Sequence, residues 1–305
     1  MITLSNGHRI DFLMSSGALG FDGRGYPWER VLENIGLIQI PKNIAIVTKT
    51  LLFDHRKGNL RWYKPWDAVK FLGENGEVIK PFSVLRNPEL IYGVVNAIGL
   101  TGPGILWWVE HCYPVIQRQG LRVIVSITGE KKEDVLEMVR LLNKLDAIIG
   151  IEFNASCPNT DPLDVKNIVG IFREIKTLSR HPLLLKIGYA QPYLKIVKEL
   201  ERIVEAVSIN SVPWRFIFGD KPSPLAKYGG GGVSGKSAQS LTWLMGREII
   251  RETKIPVAGP VWDFDDISRL RNFGFSAVAF GSVMLVHPAW PGKFINECRH
   301  RWAVI

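Results

Sequence analysis

Ile148-Ile-Gly-Ile-Glu-Phe-Asn-Ala-Ser-Cys-Pro-Asn159 is an apolar run that stops abruptly in two amides and a thiol. It reads as a buried strand that delivers polar groups to its carboxyl end. Strands of a parallel sheet are covered on both faces and so are apolar almost throughout, and α/β barrels keep their sites beyond the strand carboxyl ends. Asn154, Cys157 and Asn159 then face a ligand. The alternative on the hexapeptide alone is a loop around a buried, inert cysteine, since Cys as a residue type behaves mostly as a small hydrophobe.

Working outward, similar runs recur near positions 12, 45, 122, 149, 183, 207, 256 and 277, and all but the second are followed by a helical pattern. One clear helix puts Val135, Met138, Leu142 and Leu145 on one face, and another starts near the capping pair Asp161-Pro162 with Val165, Ile168, Phe172, Ile175 and Leu178 as its stripe. A third is expected from Pro192 to Glu205, a fourth is capped by Asp263, and a last one begins near Ala289. Eight strands, seven of them followed by a helical pattern, specify a (β/α)8 TIM barrel, an α/β fold in one domain over residues 1–305. A doubly wound sheet is the weaker choice, because Gly17 to Gly25 does not have the spacing of a dinucleotide fingerprint.

Several residues break the pattern in informative ways. Residues 51–90, after the second strand, form a long irregular stretch that includes Arg61-Trp-Tyr-Lys-Pro-Trp66. Loops of that length inside a compact domain are functional or disordered, and the aromatic content favours an ordered lid or a docking surface. Lys49 stands where the second strand stops, and Lys186 stands in a strand of leucines. A desolvated lysine needs a partner, either an anionic cofactor group or a carboxylate. Asn96 lies within an apolar segment and needs hydrogen-bond partners from the backbone or a ligand. Gly229-Gly-Gly-Gly-Val-Ser-Gly235 before a helix is either a backbone cradle for phosphate or a hinge.

The composition, 46% hydrophobic and 22% charged, is that of a globular protein with a large core. No apolar run approaches the roughly 20 residues needed to cross a bilayer, and the first residues lack a signal-peptide layout. The expectation is a soluble cytoplasmic protein. Cys112, Cys157 and Cys298 are widely spaced, which argues against a disulfide framework or a zinc site. The formal net charge of +9 favours anionic partners without choosing among small ligands, RNA or an acidic protein.

Taken together, Ser15-Ser-Gly17, Thr48-Lys-Thr50, Asn96-Ala-Ile-Gly-Leu100, Asn154-Ala-Ser-Cys-Pro-Asn159, Lys186, Ile209-Asn-Ser211, Gly231-Gly-Val-Ser-Gly235 and Phe280-Gly-Ser282 occur in the order seen in class 1 dihydroorotate dehydrogenases. The chain resembles that family from about Leu13 to Pro288. The resemblance implies an FMN across the barrel mouth, with a dihydroorotate stacked on it. Cys157 would be the base, and Lys49, Asn96, Gly99, Leu100, Asn154, Asn159, Asn210 and Ser211 would hold the substrate. The flavin contacts would come from Ser16, Gly17, Lys49, Thr50, Asn154, Lys186, Ile209, Ser234, Gly235, Gly259, Gly281 and Ser282. Lys186 would stabilise the anion that reduction creates.

The chain departs from the family pattern at Gly259-Pro-Val-Trp262, where a glycine-rich turn is usual, at Gln239, where a lysine is common, and in the 51–90 insertion. These departures mark a divergent member. Rival readings are an FMN-dependent tRNA-dihydrouridine synthase, against which the Asn154-x-x-Cys157 spacing argues, and an inactive flavin-binding partner subunit. The electron acceptor stays open between fumarate and an NAD-linked partner. The expected assembly is a homodimer, with or without an iron–sulfur/FAD electron-transfer subunit. A membrane-associated, quinone-using enzyme is disfavoured, and so is nucleic-acid binding.

Overall fold

The computed structural model describes residues 1–40, 44–61, 63–81, 83–156, 165–290, 292–293 and 295. Eight parallel strands close a barrel: Phe12–Met14, Ala45–Val47, Val123–Ile127, Ile148–Asn154, Leu183–Ile187, Ala206–Ile209, Val257–Pro260 and Ala277–Phe280. The last pairs with the first, Ala279 opposite Leu13, so no barrel edge is left open. All eight runs found in the sequence are barrel strands.

Alternation along these strands divides the core in two. Outward residues such as Val125, Phe153, Leu185 and Val278 pack against the surrounding helices. Inward residues, among them Leu13, Ala45, Ile124, Leu184, Ala206, Ala258 and Ala277, fill the barrel. The amino-terminal end is plugged by a small hairpin, Ile2–Thr3 with Arg9–Ile10, which contributes Ile2, Leu4 and Ile10 to the inner cluster. The inner layer is largely small aliphatic residues below and polar ones above, which leaves the carboxyl end open for a site.

The helices conform to the expected stripes with local differences. Val135, Met138 and Leu142 of helix Lys132–Leu142 are buried, as are Ile168, Phe172 and Ile175 of helix Val165–Leu178. The expected start of the latter at Asp161-Pro162 lies outside the described residues. The helix expected from Pro192 to Glu205 spans only Tyr193–Leu200. Asp263 does not cap the helix after strand seven, which runs Asp265–Asn272. The N-cap is Phe264, with no side-chain cap, and Asp266 inside the helix reaches back to accept the N–H groups of Trp262 and Asp263 at 2.8 and 3.0 Å.

Residues 51–90 are not an irregular stretch. Val69–Leu72 and Val78–Ile79 pair antiparallel with each other, and Val69–Leu72 also pairs with Gly93–Asn96. The sheet then continues through Gly232–Gly235 to Val212–Pro213. The glycine-rich segment is therefore neither a free loop nor a hinge. Gly231 shows why glycine is needed beside it: with φ at +79°, a Cβ there would lie 2.7 Å from the Asn96 carbonyl oxygen. One face of this sheet packs Leu72, Val95, Val212 and Val233 with Trp214, Leu225 and Ala238. No helix among the described residues is long and apolar enough to cross a membrane.

Candidate active site

Four neighbouring strands carry polar residues at inward positions near their carboxyl ends: Ser126, Glu152 with Asn154, Lys186, and Ser208. A hydrogen-bond network follows from that register. The Ser126 and Ser208 hydroxyls donate to the two Glu152 carboxylate oxygens at 2.9 and 2.6 Å. Ser126 shares a 3.0 Å hydrogen bond with Thr50, which accepts the Asn154 amide N–H at 3.2 Å. Ser16 donates to the Thr48 carbonyl and lies 3.2 Å from the Thr50 hydroxyl.

Asn154 is fixed on every side. Its amide oxygen accepts the Ser156 N–H and hydroxyl at 3.2 and 2.7 Å, and its carbonyl accepts Thr128 at 2.9 Å. Asn210 donates to Ser156 at 2.6 Å, and Gln191 donates to the Ala155 carbonyl at 2.8 Å. Strand four therefore ends in a rigid platform. Asn154 was expected as a ligand-facing amide, but much of its bonding capacity is spent on holding this platform.

Above the network lies a cavity of about 1590 Å³. Ser16, Gly17, Lys49, Thr50, Asn96, Gly99, Leu100, Asn154, Lys186, Ile209, Asn210, Ser211, Ser234, Gly235, Gly281 and Ser282 all line it. Cys157 and Asn159 lie outside the described residues. Gly259 is not a lining residue, contrary to expectation. It faces the helices, where a Cβ would meet Leu270 and Phe275 at 2.6 and 2.7 Å, so it serves helix–strand packing.

The strand-seven turn offers little to an anion. Pro260 has no N–H, Val261 donates to the Ala279 carbonyl, and Trp262 and Asp263 donate to Asp266. Trp262 is buried, and its ring lies where a side chain on Gly235 would project.

The electrostatics are one-sided. The charged residues lining the cavity are Lys49, Lys70, Lys80, Lys186 and Arg215, and no Asp or Glu among the described residues joins them. The Lys49 ammonium donates to the Thr101 carbonyl and sits 5.4 Å from the Phe21 ring centroid. Burial lowers its pKa to about 8. Burial also lowers the pKa of Lys186, while the Glu152 charge acts in the opposite direction. Among the described residues no carboxylate forms an ion pair with Lys186, and Glu152 acts on it from the layer below.

The turn after Gly93–Asn96 is strained. Leu100 has φ of +56°, a conformation that costs a branched side chain roughly 1–2 kcal/mol and that clusters at functional sites. Asn59 and Thr101 clamp this turn through the Ala97 and Ile98 carbonyls, each at 2.9 Å. The insertion adds the remaining wall, since Trp66, Val69, Phe71 and Ile79 all line the cavity. Ser126, Glu152, Ser156, Ser208 and Asn59 went unnoticed as site residues in the sequence. Period-two alternation within the apolar runs was the signal available for the first, second and fourth.

A family model for dihydroorotate dehydrogenase matches residues 83–301, well over half of the chain. The chain belongs to the dihydroorotate dehydrogenase family. Within that family it is similar to the dihydroorotate dehydrogenase B (NAD(+)) catalytic subunit of Bacteroides fragilis, at 27% identity over 69% of this chain and 73% of the relative. The protein of the same name from Phocaeicola vulgatus is 24% identical over 91% and 84%, and that from Thermoanaerobacter pseudethanolicus is 29% identical over 90% and 84%. Identities this low over 69–91% of the chain fit a divergent class 1 dihydroorotate dehydrogenase, and they do not favour the tRNA-modifying alternative.

Proposed function

We propose that the chain oxidises (S)-dihydroorotate to orotate in pyrimidine biosynthesis, with FMN across the barrel mouth as the hydride acceptor. The observation that carries this reading is the convergence of Lys49, Asn96, Lys186 and Asn210 on one cavity in a chain of this family. A flavin fits the residues present. The cavity is wide and free of carboxylates among the described residues, and it holds a cation, Lys186, whose counter-charge Glu152 does not line it. Ser16, Gly17 and Thr50 would line one side of the ring. Ser234, Gly235, Gly281 and Ser282 would take the phosphate end, since the strand-seven turn has no N–H to spare.

FMN, when bound, supplies the two-electron sink that takes the hydride from C6 of the substrate. The remaining work belongs to the chain. Cys157 removes the C5 proton as a general base. Asn96, Asn154, Asn159 and Asn210, with Ser211, match the donors and acceptors of the pyrimidine ring, because each amide offers both. Gly99 and Leu100 shape the turn beside it. Lys49 holds the substrate carboxylate, and Lys186 holds the negative charge that accumulates on the far side of the ring system. The insertion walls the cavity, which supports a covering role for residues 51–90.

The catalytic-subunit names of the relatives favour a partner subunit that carries electrons towards NAD over direct use of fumarate. A homodimer bearing an iron–sulfur/FAD subunit is the assembly we infer. Anaerobic mixing of the purified yellow protein with dihydroorotate tests the activity. Bleaching of the flavin absorbance is expected, and a flavin that stays oxidised with dihydroorotate at saturation would exclude the reaction.

The Lys49 contact makes a second prediction. An anion binds the charged form of Lys49, and in the free protein that charge is lost above a pKa of about 8. Orotate affinity should be flat with pH below 8 and weaken by about tenfold per unit above it. Lys49→Gln should bind orotate weakly and without that slope. Titrations at pH 7, 8 and 9 decide it, and a wild-type affinity that does not change across them rejects the contact.

A further inference from the structure

Glu152 is a carboxylate in the middle of the apolar run of strand four, and it is only 1% exposed. Burying an ionised carboxylate costs several kcal/mol unless donors and a counter-charge surround it. Donors are present in Ser126 and Ser208. Strand register supplies the rest. Glu152 pairs with Leu184 of strand five, so Lys186, two residues on and opposite Asn154, points inward one layer above it. Ser208 pairs with Lys186 and reaches back to Glu152, tying strands four, five and six around one charge.

Strand four thus presents Glu152 and Asn154 beside Lys186, and strand six presents Ser208. The cavity above adds Lys49, Lys70, Lys80 and Arg215 and, among the described residues, no carboxylate. The reading of the cavity as an FMN site uses the charge of Lys186 but not the acid beneath it.

We propose that Glu152 is a positioning residue, the fixed counter-charge that holds Lys186 protonated and directed into the cavity, locked in place by Ser126 and Ser208. The proposal rests on the FMN reading for its consequence, which is that the anion-stabilising power of Lys186 is set from strand four. It stands on the barrel geometry for its premise.

Glu152→Gln keeps the size and removes the charge, its oxygen accepting from one serine while its NH2 donates to the other, whose hydroxyl must turn to accept. Two readouts on the full chain as purified separate the possibilities. Labelling of Lys186 by acetic anhydride across pH 6–10, followed by peptide mass, reports its titration without requiring a flavin. The pH of half-labelling should fall by about one unit in Glu152→Gln and return towards wild type in Glu152→Asp. Sulfite adds to a bound flavin to give an anion that a nearby cation stabilises, so its affinity should be lost at correspondingly lower pH in Glu152→Gln. It should be weak at every pH in Lys186→Gln and no weaker in the double variant. An unchanged labelling profile overturns the role of Glu152, whether or not flavin is bound. A shifted profile in a protein that carries no flavin supports Glu152 and fails the FMN reading instead. Should Glu152→Gln not fold, Glu152→Asp with a wild-type melting temperature and wild-type labelling at every pH overturns the proposal as well.

Discussion

Cys157→Ala should retain its flavin and reduce it with dihydroorotate at least about a hundredfold more slowly than wild type, the low end for losing a general base. The expectation depends on how the base is delivered. Strand four ends at Asn154, and the three residues before Cys157 are held from several directions: Asn154 by Thr50 and Thr128, Ala155 by Gln191, and Ser156 by Asn154 and Asn210. Proton abstraction is efficient when the groups that bind the substrate are held in place, and Asn154 and Asn210 belong to this platform. An unperturbed thiol has a pKa near 8.5, so the wild-type rate should rise with pH before levelling, and the alanine variant should lose that dependence. Stopped-flow bleaching under anaerobic conditions measures both. A wild-type rate in Cys157→Ala would remove the residue from the mechanism, while an unchanged rate–pH profile with a lower amplitude would point to damaged substrate binding.

The barrel was legible because each strand is covered on both faces, so the strands appear as apolar runs without needing tertiary information. Cavity-lining residues at strand ends were legible for the same reason: Lys49, Asn154 and Asn210 stand where a run stops. What the runs concealed lies inside them. Glu152 and Ser208 occupy inward positions that differ from their neighbours only in parity, and reading parity requires knowing which face is the interior. The antiparallel sheet was hidden by distance. Gly232–Gly235 pairs with Gly93–Asn96 across more than a hundred residues of chain, and a Gly-Val-Ser-Gly strand has almost no alternation to announce it. Gly259 misled for a related reason. A glycine at the end of strand seven can admit a phosphate or a neighbouring helix, and only the positions of Leu270 and Phe275 distinguish the two.

Glu29→Gln should stabilise the protein at pH 8 and leave it nearly unchanged at pH 4.5. Glu29 lies in the first turn of helix Pro27–Asn34, is 2% exposed, and accepts the Tyr26 N–H at 2.7 Å. Burial raises its pKa from 4.5 to about 7, against the opposing pull of the Tyr26 N–H and the Arg30 charge. A group whose pKa is higher in the folded chain holds its proton more tightly there. Its contribution to stability is complete below pH 4.5 and is lost as pH rises through about 7. The gap corresponds to roughly 3 kcal/mol at 1.36 kcal/mol per pH unit.

Glutamine cannot ionise and still accepts the Tyr26 N–H, so it should recover most of that loss at pH 8, less about 1 kcal/mol for a weaker hydrogen bond. For a chain of this size the gain amounts to about 3 °C in melting temperature. Melts of both proteins at pH 4.5 and pH 8 test the sign: a variant that melts lower than wild type at pH 8 refutes it. The same tyrosine ties this helix start to the cavity, since the Tyr26 hydroxyl donates to the Gly17 carbonyl at 2.9 Å and Gly17 lines the cavity.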